Sequence, residues 1–500
     1  SSTAQTARSE SYFALLRGLV KDSGFYAIAS LTSPLVMLLL SPFLARTLSH
    51  MDYGALAVLN TIVTLVTGVS ALGLAPAFMR VYAYDCKTAR EQMDTLSTLT
   101  LLLLIILLPI TTTGVIMAPW LSAILLGSTR YSGAIQVGAV LVLTQNLTIP
   151  GLSWLRVERR PALFSTISMM NLLVNAVMTL VLVGALHMGV AGSLVADGLA
   201  DLIIIACTFP IIFWRAGFSL RLTIATSMLT FGVPHIMNLI SGWVLQLSDR
   251  YLLGHLVSLS LAAAYSVAYS LGGVTSAAII TPFSLAWWAL VYPLAKREDA
   301  RYVFKLIFRS YSFVLLFATL GLSLFGSSVL DLLFPASYHG QATIIPIIAV
   351  STMFSGLFNV VSVGVSLQRK TWLISLYFLV SALVNIGLNV VLIPVYGTMG
   401  AALATLVAYV ALALLAYLCN QWIYPVPFEV GLFLAALGIG IALYLAASSL
   451  AHGQRMVITW SLYSATLLLY GLSLLFLGWF LPHTRRTHSQ NKSEYDQGPT

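Results

Sequence analysis

The sequence predicts an all-α polytopic membrane protein. About fourteen transmembrane helices form two parallel six-helix repeats around a central cavity, with two further helices at the C-terminal end. Three observations lead there: the composition, the length and spacing of the apolar runs, and an internal repeat. Hydrophobic residues make up 59% of the 500-residue chain and charged ones only 8%, with a mean hydropathy of +0.93, whereas soluble domains carry about 25% charge. A spanning helix takes about 20 apolar residues, so spans and short loops fill the chain and leave no stretch for a separate soluble catalytic domain.

Apolar runs fall at 24–46, 54–79, 96–117, 134–154, 163–185 and 190–213. After a break carrying Arg215 and Arg221 they resume at 227–253, 262–292, 303–326, 343–366, 372–393, 399–421, 429–449 and 457–480. Strands of an outer-membrane barrel run to about 10 residues of alternating polarity; these runs are twice as long and apolar on every face, so they are helices. Residues 1–23 read as a cytoplasmic N-terminal tail without a cleavable secretory pattern. Residues 24–214 read as the first six-helix lobe, 215–226 as a cytoplasmic linker and 227–421 as the second lobe. Two additional helices follow over 422–482, then a polar, disordered cytoplasmic tail over 483–500.

Of the 25 Lys and Arg residues, only Arg46, Arg130, Arg250 and Arg455 fall on the outer side when both termini are cytoplasmic. The positive-inside rule selects that topology, and the net charge of +9 reports it. The basic residues are spread over many short loops, which implies no nucleic-acid partner. Cys86, Cys207 and Cys419 lie far apart without a CxxC or a His-rich neighbourhood, so neither a disulfide framework nor a metal site is expected, and no cofactor. No nucleophile elbow, phosphate-cradling glycine loop or HExxH occurs, which argues against an enzyme.

The repeat is visible by self-comparison. Arg159-Arg160, Leu173-Val174-Asn175, Val181-Leu182 and Gly189 to Gly192 are echoed by Arg369-Lys370, Leu383-Val384-Asn385, Val391-Leu392 and Gly397 to Gly400. An offset of about six spans is an even number, so the halves enter the membrane in the same direction. Parallel repeats of this kind build transporters with a site between the halves.

A charge inside hydrocarbon is a functional candidate because it needs a cavity or a partner. Asp249 and Arg250 stand near the outer end of the seventh run, Arg46 at the outer end of the first and Arg80 at the inner end of the second. Guanidinium binds phosphate bidentately and keeps its charge, so these arginines can line a cavity for an anion; the alternative is snorkelling to headgroups. Asp197 and Asp201, at i and i+4 in the sixth run, put two carboxylates on one helix face near the bilayer centre, a protonatable site suited to ion coupling; the alternative is hydrogen bonding between helices. Tyr265 and Tyr269 offer faces for sugars or belong to an aromatic belt. Pro234 and Pro282 predict kinks.

Three strings carry a family resemblance. Leu44-Ala45-Arg46-Thr47-Leu48 with Asp52-Tyr53-Gly54, Gly73-Leu74 and Arg80 resembles the opening of O-antigen flippase-type polysaccharide transporters, within the multidrug/oligosaccharidyl-lipid/polysaccharide exporter superfamily. Ser248-Asp249-Arg250-Tyr251 followed by Ala264-Tyr265-Ser266-Val267-Ala268-Tyr269 is similar to that family's signature, and Ile393-Pro394-Val395-Tyr396-Gly397 to its later glycine turn. The resemblance spans roughly residues 20–420. It implies translocation of an undecaprenyl-diphosphate-linked oligosaccharide, an O-antigen or exopolysaccharide unit, across a bacterial inner membrane, with the bilayer and a polysaccharide polymerase or synthase complex as partners. The family's cationic lumen maps onto Arg46, Arg80 and Arg250. Two alternatives stand beside it: a multidrug cation antiporter of the same superfamily, and a membrane subunit of a polysaccharide secretion complex.

Overall fold

The structure is a computed structural model that describes residues 40–494 apart from 159, 369, 371 and 452. The predicted N-terminal tail, most of the first apolar run and the last six residues lie outside the described part. Among the described residues twelve helices are long and apolar enough to span a membrane, and a bent pair makes a thirteenth. With the helical end of the first run they follow the fourteen apolar runs in order.

We label them in chain order: α1 (40–47), α2 (His50–Ala83), α3 (Ala89–Ile116), α4 (Thr129–Val157), α5 (Pro161–Ala185) and α6 (Gly189–Ala216). The second half holds α7 (the bent pair Leu222–Gly232 and Ile236–Leu256), α8 (Leu259–Trp288), α9 (Ala300–Leu333), α10 (Ile344–Leu367), α11 (Trp372–Tyr396) and α12 (Thr398–Ile423). Helices α13 (Val430–Ala451) and α14 (Met456–Glu494) close the chain. The membrane faces are named by the orientation that the charge distribution predicts, so α2 starts at the outer face and ends at the cytoplasmic one.

Several spans are broken, and three of the breaks have a local cause. The two segments of α7 meet at 44° where Pro234, which has no amide proton to donate, interrupts the ladder. Pro282 follows a π-helical turn at Ser276–Ile280 in α8. In α2 the break falls at Ala71-Leu72-Gly73, where Leu72 and Gly73 take φ of 49° and 63°. Irregular backbone at membrane depth survives where protein or a cavity covers it.

The repeat is present as packing. α6 lies against α4 and α5 as α12 lies against α10 and α11, and the glycine after each turn meets the preceding helix. A Cβ on Gly192 would stand 3.3 Å from the Leu182 carbonyl oxygen, and one on Gly400 only 2.3 Å from that of Leu392. Buried residues form two clusters. One is built on α2 to α6 and takes in much of α8; the other is built on the second segment of α7 and on α9 to α14. The halves therefore interlock through α8. The two added helices cover the outer flank of α9, where Tyr470 donates to the Ala436 carbonyl at 2.9 Å.

Two stretches differ from the sequence reading. Within the expected linker 215–226, residues 217–221 are fastened to α3. Ser97 Oγ donates to the Gly217 carbonyl (3.0 Å) and accepts from Ser219 N (2.8 Å), Thr98 Oγ1 accepts from Arg221 N (3.1 Å), and Arg221 pairs with Asp94 at 2.6 Å. Helix α7 then begins at Leu222. At the other end, α14 runs to Glu494, into the stretch read as a disordered tail, since no Gly or Pro interrupts 483–494.

Gly400→Val should lower stability by about 1–3 kcal/mol, the usual range for overpacking, whereas Gly387→Ala, with nothing within 4 Å of its added Cβ, should leave it unchanged. Thermal unfolding in detergent reads both.

Candidate functional site

Between the halves, α1 and α2 face α7 and α8 across a cavity of about 630 Å³. Its wall is mostly apolar, with Leu44, Leu56, Leu247 and Val274 among the lining residues, and hydroxyl and amide groups are set into it by Ser41, Tyr53, Asn60, Thr61 and Thr64 on the first half and Ser266 and Ser270 on the second. Arg250 is the one charged residue among the described lining residues. A narrower chamber of about 280 Å³ continues toward the cytoplasmic side between α2 and α7.

Arg250 is held from three sides. Its Nη1 donates to the Gln246 carbonyl at 2.6 Å, its guanidinium carbon stands 4.3 Å above the centre of the Tyr269 ring, and Asp249 Oδ1 lies 3.7 Å away. Asp249 turns away from the cavity and is 1% exposed; it accepts the Tyr265 hydroxyl at 2.5 Å. Adjacent residues on a helix point about 100° apart, which lets one dipeptide place a cation on the cavity wall and its counter-charge in the protein. Tyr265 and Tyr269 thus lie beneath the cavity wall and fix Asp249 and Arg250 in place.

Arg46 and Arg80 stand at the two ends of the cavity, outside its lining. At the outer end Arg46 donates to the Leu333 carbonyl at 3.0 Å, the His50 ring stacks on Tyr338 at 4.5 Å, and Gly54 lies so close to α8 that a Cβ would meet the Leu259 carbonyl oxygen at 1.8 Å. At the cytoplasmic end the breaks of α2 and α7 touch: a Cβ on Gly73 would lie 2.4 Å from the Gly232 carbonyl oxygen, and Arg80 lies over the Phe231 ring at 4.8 Å. Arg46 bridges the two halves where they close, and Arg80 ties the inner end of α2 to the first segment of α7. The Asp-Tyr-Gly string has a part for each residue. Asp52 accepts the Tyr131 hydroxyl (2.9 Å) and pairs with Arg130 (3.3 Å), Tyr53 meets the Ser41 hydroxyl (2.9 Å), and Gly54 makes the close approach.

Asp197 and Asp201 lie inside the first half, away from this cavity. Asn175 of α5 donates to Asp197, and Asp201 accepts from Thr144 of α4 (3.2 Å) and from Asn171 of α5 (3.5 Å). The repeat places a related group in the second half. Asn385, the counterpart of Asn175, accepts from Ser248 (3.3 Å) and from Asn389 (2.9 Å); Thr405, at the position corresponding to Asp197, lies beside Asp249. Asn385 Nδ2 and Asn389 Oδ1 are buried there without a partner. The carboxylate comes from α6 in one half and from α7 in the other.

No three His, Cys, Asp or Glu side chains among the described residues are grouped to hold a metal. The signal for the cavity was present in the sequence as polar residues four apart. Asn238, Gly242, Gln246 and Arg250 form one stripe of α7, and Asn60, Thr64 and Gly68 one stripe of α2.

The family model for polysaccharide biosynthesis proteins matches residues 19–288, which include α1 to α8 and the cavity wall. The chain belongs to the polysaccharide biosynthesis protein family. No curated protein matches it by sequence. Among solved structures it is similar to the lipid II flippase MurJ in an inward closed conformation, with a TM-score of 0.72 at 14% identity over 92% of this chain and 98% of that one. An inward-facing multidrug resistance MATE family transporter of the MOP superfamily aligns with a TM-score of 0.59 at 15% identity, over 79% of this chain and 97% of that one. A Vibrio cholerae MATE transporter, VcmN, gives 0.59 at 13% identity over 81% and 97%. The family member therefore has the fold of these multi-pass membrane transporters.

Removing only one member of a buried ion pair costs about 3–5 kcal/mol, whereas replacing both by apolar groups is often neutral. Asp249→Ala should therefore lower the unfolding temperature sharply, and Asp249→Leu combined with Arg250→Met should restore it without restoring function; differential scanning fluorimetry in detergent compares them.

Proposed function

We propose that the protein flips an undecaprenyl-diphosphate-linked oligosaccharide, an O-antigen or exopolysaccharide unit, from the cytoplasmic to the periplasmic leaflet of a bacterial inner membrane by alternating access. The observation that carries this is Arg250, a fixed guanidinium on the wall of an otherwise uncharged cavity shared by the two halves, whose largely apolar wall has hydroxyl and amide groups set into it. Guanidinium matches phosphate in geometry and charge, and hydroxyl and amide groups match sugars. Family membership and the fold agree with a transporter of polysaccharide precursors. A cationic drug would meet Arg250 with repulsion, which disfavours the antiporter alternative.

Opening either end separates the halves there. At the outer end that frees Arg46 from the Leu333 carbonyl; at the cytoplasmic end Arg80, held over Phe231 of the first α7 segment, sets a cation near the entrance. The anionic head then moves along a line of three arginines, and the released unit is delivered on the side of the polymerase.

Coupling to an ion fits the carboxylates. Asp249 has Arg250 as its counter-charge, but Asp197 and Asp201 have only amide and hydroxyl partners in the hydrogen bonds formed. An uncompensated charge in the bilayer is expensive, so a bound proton or sodium ion at this pair resets the transporter between its two openings.

Transport of a fluorescent undecaprenyl-diphosphate oligosaccharide into the outer leaflet of liposomes tests the proposal. The native chain should flip it. Arg250→Ala should slow flipping by about tenfold or more, as loss of a charge-assisted contact worth about 1.5–3 kcal/mol implies, and Asp197→Asn should abolish the response to an imposed ion gradient. Efflux of cationic dyes without glycolipid flipping contradicts the proposal.

A further inference from the structure

We propose that the narrow cytoplasmic chamber is a saccharide-reading subsite, formed by Asn238, Trp243 and Gln246 of α7 against Thr64 and Gly68 of α2. This rests on the assignment of Arg250 as the phosphate-binding group and adds what the neighbouring chamber recognises. The chamber holds about 280 Å³ and is joined to the Arg250 cavity through Thr64 and Leu247, which line both.

The register of α7 fixes the order of contacts. Asn238, Gly242, Gln246 and Arg250 recur every four residues and share one face. At helical rise Gln246 lies about 6 Å and Asn238 about 18 Å from Arg250 along the axis. A diphosphate at Arg250 therefore sets its first sugar beside Gln246 and the next toward Asn238.

The chamber sets amide and hydroxyl groups into an apolar wall of Leu65, Val69, Leu239 and Leu247, which suits a neutral ligand with both hydroxyls and C–H faces. No charged residue is among those lining it, so it offers an ion no counter-charge. Asn238 lines the chamber and its Oδ1 has no hydrogen-bond partner; a turn of the side chain brings this acceptor to a sugar hydroxyl. The Gln246 side chain is exposed to the chamber, and an amide both donates and accepts, as a ring of hydroxyls requires. Trp243 donates its indole N–H to the Thr61 carbonyl at 2.7 Å; the bond fixes the ring across the boundary between the halves, where its face can stack on a sugar.

The room itself comes from two missing side chains. A Cβ added to Gly68 or to Gly242 would find nothing within 4 Å, so both glycines border open space. A side chain at 242 starts out into the chamber, its Cβ touching nothing.

The test uses the full chain in lipid nanodiscs and two probes, a polyprenyl diphosphate carrying a disaccharide and the same lipid without sugar. Two or more hydrogen bonds to the glycan, each contributing a few-fold, give the native chain about tenfold tighter binding of the glycosylated lipid. Asn238→Ala should cut that preference several-fold and Gly242→Leu should remove it, while both keep native affinity for the sugar-free lipid, which also reports that they fold. Equal binding of the two lipids by the native chain, or a preference that survives in both variants, overturns the subsite alone. A native chain that binds neither lipid overturns the phosphate assignment at Arg250 and the subsite with it.

Discussion

The cavity depends on one charge pair. Arg250 can stand on a wall within a membrane protein because its counter-charge, Asp249, is the preceding residue of the same helix and is held behind the wall by the Tyr265 hydroxyl. A lone arginine at that depth would cost several kcal/mol or draw water and headgroups toward itself. With Asp249 beside it, the Gln246 carbonyl accepting from it and the Tyr269 ring beneath it, the guanidinium is kept in one orientation. Such preorganisation reduces the entropy lost when an anion is bound. The same requirement explains why α8 is packed so closely on α7: its two tyrosines complete the support.

Closure at both ends is the second constraint. The halves meet through backbone outside, at Gly54 on Leu259, and inside α2 meets the end of the first α7 segment through Gly73 on Gly232. Contacts of this kind exclude water and contribute few side-chain interactions, so they can separate and re-form as two packed bodies rock. The breaks in α2 and α7 put irregular backbone where the cytoplasmic contact lies. The fastening of residues 217–221 to α3 makes the first segment of α7 continuous with the first half, and the 44° bend at Gly232 to His235 then joins it to a segment that packs in the second. Bent spans and small residues together make a boundary at which one half can move against the other.

Much of this was legible in the sequence. Thirteen helices follow the apolar runs because hydrophobic length alone decides what spans a bilayer; the runs 372–393 and 399–421 became Trp372–Tyr396 and Thr398–Ile423. The repeat was readable because its basic turn, Asn and Gly-x-x-Gly each occupy a structural position that apolar composition does not mimic. The facing of individual arginines was not. Arg46, Arg80 and Arg250 all read as ends of spans bearing a cation, and a rotation of about 100° per residue together with the packing of the other half places one on the cavity wall and two at its closures. Tyr265 and Tyr269 read as surfaces for sugars, whereas burial against Asp249 and Arg250 makes them supports. The linker 215–226 could not be seen to be fastened to α3, because its ties come from Ser97 and Thr98, more than a hundred residues away.

The central claim is that Arg250 holds the phosphate of a lipid carrier. It is tested most directly by the affinity of the purified protein for a polyprenyl diphosphate, the corresponding monophosphate and the phosphate-free polyprenol, each in nanodiscs. Native affinity should fall with each phosphate removed, and Arg250→Ala should bind all three alike. Equal native affinity for the three lipids, or an unchanged gradation in Arg250→Ala, would contradict it.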